Sequence, residues 1–309
     1  MKCLRQHIAD IESKSVPGFA AGSGFVARSR GDLKSLGHAC VQTEARALNS
    51  DATWRLGLRE LDDRLGLHGL DMSGVHEIKP HQPQVGSVAV ADHAIATAFA
   101  FRLVARLRHA QKQQRNSGVV AKRPVLICFS QATRFDLGRV YGPGLQRLGF
   151  QPSDIIIVEA PRPRDNLWAI EEGLKSGAVG AVIGHCEDVA LTPARRLSLA
   201  AATHVTPCLM ITSARAPVMG ATSSRWRVGA SSAKLALKSG IARTAMTPSH
   251  KTHFLARYDV CLERCRGQMS VLGAPPVTLE WSDETHGFRL AAGLANRAPT
   301  PRQQKVRTA

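Results

Sequence analysis

Four short apolar runs separated by helix-patterned segments constrain this chain more than any other feature. Pro124 to Phe129, Ile155 to Val158, Ala178 to Ile183 and Cys208 to Ile211 hold almost nothing but apolar residues. Strands of this kind are buried on both faces, which is the signature of a parallel sheet covered by helices on each side. Val75 to Ile78 supplies one more short strand. The segments between suit helices. Near Asp92 to Lys112, the residues Ile95, Phe99, Leu103 and Leu107 recur at i, i+4, i+8 and i+12, one buried stripe. Gly138 to Leu148 is expected to be helical, with Gly142-Pro143-Gly144 breaking its regularity. Asn166 to Lys175 is another helix, and Pro193 to Ala202 a further one, with Thr192 as N-cap and Pro193 at the first helical position. After Ala214 the pattern changes to alternating strands and turns: Arg225 to Val228, Tyr258 to Glu263, Val277 to Trp281 and Phe288 to Ala291. These are expected to form an antiparallel extension of the same sheet. The fold class is α/β, a mostly parallel sheet flanked by helices with an antiparallel C-terminal extension.

The 309 residues divide into three parts. Residues 1–50 read as one short amphipathic helix (Leu4, Ile8, Ile11) and a Gly/Ser/Arg-rich linker. Residues 51–295 form the core domain. Residues 296–309, with Arg297, Arg302, Lys305 and Arg307 and no acid, read as a disordered basic tail. No stretch is apolar enough to span a membrane, because Asp92, His93 and Arg102 interrupt the best candidate. The N-terminus lacks the apolar region of a signal peptide. Seven scattered cysteines fit a reducing cytoplasm better than a disulfide framework. The net charge of +17 favours a polyanionic partner.

The start of the core resembles RecA-like recombinases. Leu61 to Leu70, followed by Ser73-Gly74-Val75-His76-Glu77-Ile78, resembles the lead-in to the strand that in those proteins runs into a P-loop. Here the strand runs into Lys79-Pro80-His81-Gln82-Pro83-Gln84-Val85-Gly86. A phosphate cradle needs converging backbone N–H groups, glycines that let them converge, and a Lys-Ser/Thr pair at the helix start. This loop has only Gly86, while Pro80 and Pro83 each remove a donor. Asp92 stands near the helix start, where a carboxylate competes with phosphate for the same N–H groups. Ser176 to His185 resembles the recombinase strand that ends in a magnesium-coordinating Asp, yet position 185 is His. The nucleotide loop therefore reads as degenerate, and neither a cofactor nor a catalytic constellation is expected. Glu187 and Asp188 keep an active RecA-type ATPase open as a rival.

Further motifs narrow the likeness. Asp136 to Leu145 (DLGRVYGPGL), Leu167 to Leu174 (LWAIEEGL), Leu191 to Ala201 (LTPARRLSLAA), Arg225-Trp226-Arg227-Val228, Arg264 to Gly267 and Glu280-Trp281 together resemble the inducible mutagenesis protein ImuA family, over residues 54 to 297. That resemblance implies a RecA-like fold related to SulA-type division inhibitors. It implies an adaptor, not an enzyme, in DNA-damage-induced (SOS) translesion mutagenesis. The implied partners are a Y-family polymerase-like protein of the ImuB type, the RecA recombinase and, indirectly, an error-prone C-family polymerase. A SulA-like division inhibitor is the second rival and a small-molecule α/β enzyme the third.

Two basic features bear on partners. Arg102, Arg106, His109 and Lys112 mark a face of the long helix that is best read as solvated, with nucleic-acid contact as the alternative. From Val189 to Tyr258 there are ten Lys or Arg and no acid. By the resemblance, this part of the chain supplies DNA-facing loops. Arg225, Arg227, Lys234, Lys238 and Arg243 are the candidates for contact with single-stranded DNA, with a merely solubilising basic loop as the equal alternative. Arg195 and Arg196 stand early in a helix whose N-terminus is already electropositive, which calls for carboxylates from a partner or from Glu171 or Glu172. Trp168 and Trp226 read as core residues. Cys261 and Cys265 read as thiols, since no metal-ligand pair follows at suitable spacing.

Overall fold

Strand β3 (Val75–Pro80) is buried at all six positions, and the sheet is built outward from it. The computed structural model describes residues 53–66, 68–81, 90–115, 123–231, 256–268 and 275–291. The expected N-terminal helix and linker, the basic tail, Pro83, Gly86, Lys234, Lys238 and Arg243 lie outside the described residues.

Five more strands run parallel to β3: β4 (Val125–Ser130), β5 (Ile155–Ala160), β6 (Ala181–His185), β7 (Cys208–Ile211) and β8 (Ser224–Ala230). Their order is β5-β4-β6-β7-β3-β8. Beyond β8 the sheet continues with β9 (Arg257–Cys265), β10 (Val277–Ser282) and β11 (Gly287–Leu290), each antiparallel to its neighbour. A small antiparallel pair, β1 (Thr53–Trp54) and β2 (Leu70–Asp71), flanks α1 (Arg59–Asp62). Asp62 ties this lead-in together by accepting the Leu56 and Gly57 N–H groups at 2.8 and 3.0 Å.

Successive residues of each parallel strand enter opposite cores, as the strand's two-residue period requires. Ile127, Ile183, Leu209 and Trp226 join the core beneath α2 (Val90–Arg115). Leu126, Val182, Cys208 and Met210 join the core beneath α5 (Pro163–Ser176) and α6 (Leu191–His204). Phe99 of α2 reaches across to the extension, its ring 5.5 Å from those of Tyr258 and Phe288. The α/β class, the helices on both faces and the antiparallel C-terminal strands are as the sequence implies.

Several local expectations are corrected. Ile155 to Val158 is not buried on both faces: β5 is the sheet edge, and Ile157 is 47% exposed. Residues 138–148 are not one helix. Helix α3 (Gln131–Leu137) ends at Gly138, whose φ is +79°, and α4 (Gly142–Arg147) begins after a short connection. Thr192 is not the N-cap of α6, because the helix starts two residues earlier, at Leu191 after Ala190. Pro193 is tolerated there because first-turn N–H groups have no intrahelical acceptor. Strand β8 is parallel to β3, so the antiparallel extension begins only at β9. The basic face of α2 is not simply solvated. The Arg102 guanidinium lies 5.5 and 5.9 Å from the Tyr258 and Trp281 ring centres, a cation held over aromatic faces.

Candidate functional site

The last residues of β3 before the loop carry a buried charge network. Glu77 of β3 is fully buried. Its carboxylate accepts from Arg225 Nε at 2.7 Å, from Thr212 Oγ1 at 2.9 Å and from the Met219 N–H at 3.2 Å. Lys79 Nζ donates to the same carboxylate at 3.4 Å and to the Ala216 carbonyl at 3.0 Å. Burial pushes the Lys79 ammonium below its ordinary pKa, against the opposing pull of Glu77. Two cations and one carboxylate thus satisfy one another inside the sheet, and such a group holds its place only while every member is paired. Lys79, the last cation before the loop, is therefore engaged within the fold.

Asp92 lies in the first turn of α2, as the sequence places it. His185 ends β6. Its Nδ1 is 3.1 Å from Thr133 Oγ1, and its ring centre is 5.7 Å from that of His93. Burial, with the neighbouring His93 adding to it, lowers its pKa to about 4. At neutral pH the position carries an uncharged imidazole. Glu187 and Asp188 are exposed just beyond it. Pro80 is buried at the end of β3. Beside His185, between α2 and the α3–α4 connection, lies an open cavity of about 630 Å3.

The candidate cations separate into different roles. Arg225 is not at a surface, since its side chain is 10% exposed and is spent on Glu77 and on the Met219 carbonyl. Arg227 is paired with Glu263 and also donates to the Pro80 carbonyl. Both guanidiniums are thereby engaged with carboxylates of the fold. Arg196 pairs with Glu171 at 2.6 Å, the internal carboxylate of the two alternatives. Arg195 is exposed and has no ion pair among the described residues. Trp226 is completely buried, and Trp168 packs against the core beneath α5 and α6. Neither Cys261 nor Cys265 is in a disulfide, and no cluster of three metal-ligating side chains occurs among the described residues. Among those residues no helix is long and apolar enough to cross a membrane.

Two features escaped sequence reasoning. One is the cavity, whose walls come from five separate stretches of chain. The other is the apolar character of the outer side of α6, which is legible in the sequence as Leu191 and Leu199 at eight-residue spacing around Arg195.

No protein-family model matches this chain, and no curated protein does. Among solved structures it is similar to SulA from Pseudomonas aeruginosa, with 16% sequence identity and a TM-score of 0.31, over 45% of this chain and 97% of that one.

Proposed function

We propose that the protein is a non-catalytic adaptor in DNA-damage-induced translesion mutagenesis, of the inducible mutagenesis protein A type. It docks a Y-family polymerase-like protein of the ImuB type, works with the RecA recombinase and, through its partner, with an error-prone C-family polymerase. It touches single-stranded DNA through the basic segment holding Lys234, Lys238 and Arg243. The motifs that carry the resemblance support this reading.

The observation that carries it is the outer side of α6. Leu191, Arg195 and Leu199 stand at i, i+4 and i+8, so they share one helix face. Leu191 is 51% and Leu199 71% exposed. Two exposed leucines flanking a cation with no ion pair among the described residues make a short apolar ridge with a charged centre. Such a ridge suits a partner groove that offers one carboxylate. Arg196, one residue on, belongs to the fold through Glu171 and does not take part.

The test is affinity capture of the polymerase-like partner by the full chain. Arg195→Glu combined with Leu199→Asp is expected to weaken capture at least tenfold while leaving the melting temperature unchanged. Undiminished capture by the double variant would remove α6 from this role.

A further inference from the structure

The cavity beside His185 is not used by the adaptor reading. It opens at the carboxyl ends of β4 and β6, where open parallel sheets present their ligand crevices. Its volume of about 630 Å3 falls within the range of about 300 to 1,000 Å3 occupied by small-molecule sites. Phe101, Ile127, Phe129 and Ile183 give it an apolar lining.

Two buried polar atoms of lining residues have no hydrogen-bond partner among the described residues: His185 Nε2 and Arg102 Nε. Thr133 already engages the other nitrogen of His185, so Nε2 is the atom left for something else. A buried polar atom without a partner is destabilising, and a ligand in the cavity would relieve that. The charged groups are not balanced. Among the described residues, Arg102, Arg139 and Arg147 line the cavity with one carboxylate, Asp283, which Arg147 faces at 3.4 Å. Arg139 is exposed with no ion pair among the described residues. One unit of negative charge therefore has a natural place at Arg139, and the interior has a place for rings, since Phe101, Phe129 and Tyr141 offer aromatic faces and edges.

We propose that this cavity binds an amphipathic aromatic anion, a flat ring system seated among Phe101, Phe129 and Ile183 with a single carboxylate, sulfonate or phosphate group at Arg139.

The experiment uses the full chain and two probes with the same rings. 1-Anilinonaphthalene-8-sulfonate carries the anion, and N-phenyl-1-naphthylamine lacks it. Fluorescence titration is expected to show one saturable site for the sulfonate and weaker binding of the neutral probe. Ala98→Phe, which fills the cavity from its half-buried α2 wall, is expected to weaken both at least tenfold. Arg139→Gln, at an exposed position where folding is not at risk, is expected to weaken the sulfonate about tenfold and leave the neutral probe unchanged. Equal sulfonate binding by the wild type and a folded Ala98→Phe variant would place the dye elsewhere and overturn the proposal. So would an Arg139→Gln variant that binds the sulfonate as the wild type does.

Discussion

Arg225 and Glu77 meet at 2.7 Å from adjacent parallel strands, the carboxylate fully shielded and the guanidinium nearly so. This pair changes the meaning of the acid-free run from Val189 to Tyr258. The carboxylates missing from that run are supplied by other parts of the chain: Glu171 for Arg196, Glu77 for Arg225, Glu263 for Arg227 and Glu280 for Arg257. Absence of acids along a sequence is not absence in space.

Replacing Arg225 with Met is expected to destabilise the protein by about 3 kcal/mol or more, because truncating one partner leaves a buried charge poorly compensated. Lys79 remains beside Glu77, which keeps the loss toward the lower end of the usual 3–5 kcal/mol. Urea unfolding at neutral pH measures it. A loss below about 1 kcal/mol would mean that Lys79 alone is sufficient for Glu77.

The positions of β4, β6 and β7 were legible because burial on two faces leaves a continuous apolar run. Which strand forms the edge was not. Ile155 to Val158 is as apolar as Val125 to Phe129, and only the crossover order places β5 outermost. The direction of β8 was hidden for a similar reason. Arg225-Trp226-Arg227-Val228 alternates like a two-sided antiparallel strand, yet its arginines pair with buried and half-buried carboxylates, so both of its faces are covered. At the candidate site, His185 stood out by its departure from the resemblance. The cavity around it could not be read, because Phe101, Phe129, Arg139 and Asp283 are each ordinary in their own stretch of sequence.

Stability is expected to fall on acidification through His185. Burial first, and His93 second, hold its pKa near 4 against an ordinary 6.5. Below pH 6.5 the unfolded chain takes up a proton that the folded chain refuses until about pH 4. The contribution is therefore intact above about 6.5 and is lost as pH falls toward 4, by at most about 3 kcal/mol at 1.36 kcal/mol per unit. His76, also lowered by burial, acts in the same direction. Urea midpoints measured from pH 7 to 4.5 should decline, and His185→Gln should reduce the decline without abolishing it. An identical pH dependence in the variant would exclude His185 as a source.

Gly184 is expected to tolerate no side chain. A Cβ there would stand 2.5 Å from Ile170 Cδ1 and 2.8 Å from Met210 Sδ, both inside the core beneath α5. Gly184→Ala should therefore cost about 1–3 kcal/mol, the usual cost of overpacking. Gly142 meets nothing within 4 Å, and Gly142→Ala should change stability by no more than about 0.5 kcal/mol. Thermal unfolding of the two variants side by side separates close packing of β6 from a general intolerance of glycine replacement.

The proposed contact with single-stranded DNA is expected to be salt-sensitive and indifferent to base sequence. With Arg225 and Arg227 committed to Glu77 and Glu263, the cations left to the proposal are Lys234, Lys238 and Arg243, with Lys251 nearby in sequence. Each phosphate neutralised on a single strand contributes about −0.7 to the slope of log affinity against log salt, so about four contacts give a slope of about −3. No aromatic residue lies between Trp226 and Phe254, so base stacking adds little and poly-pyrimidine and mixed strands should bind alike. Replacing Lys234, Lys238 and Arg243 together with Ala should reduce the slope by up to about two units. Arg227→Gln should leave it unchanged, because that guanidinium is already spent. The basic tail is a second source of cations, so all variants are compared with residues after Asn296 removed. A flat affinity between 50 and 200 mM salt, conditions over which about four contacts would weaken binding about fiftyfold, would reject the contact. A triple variant with the wild-type slope would instead move it to another part of the chain.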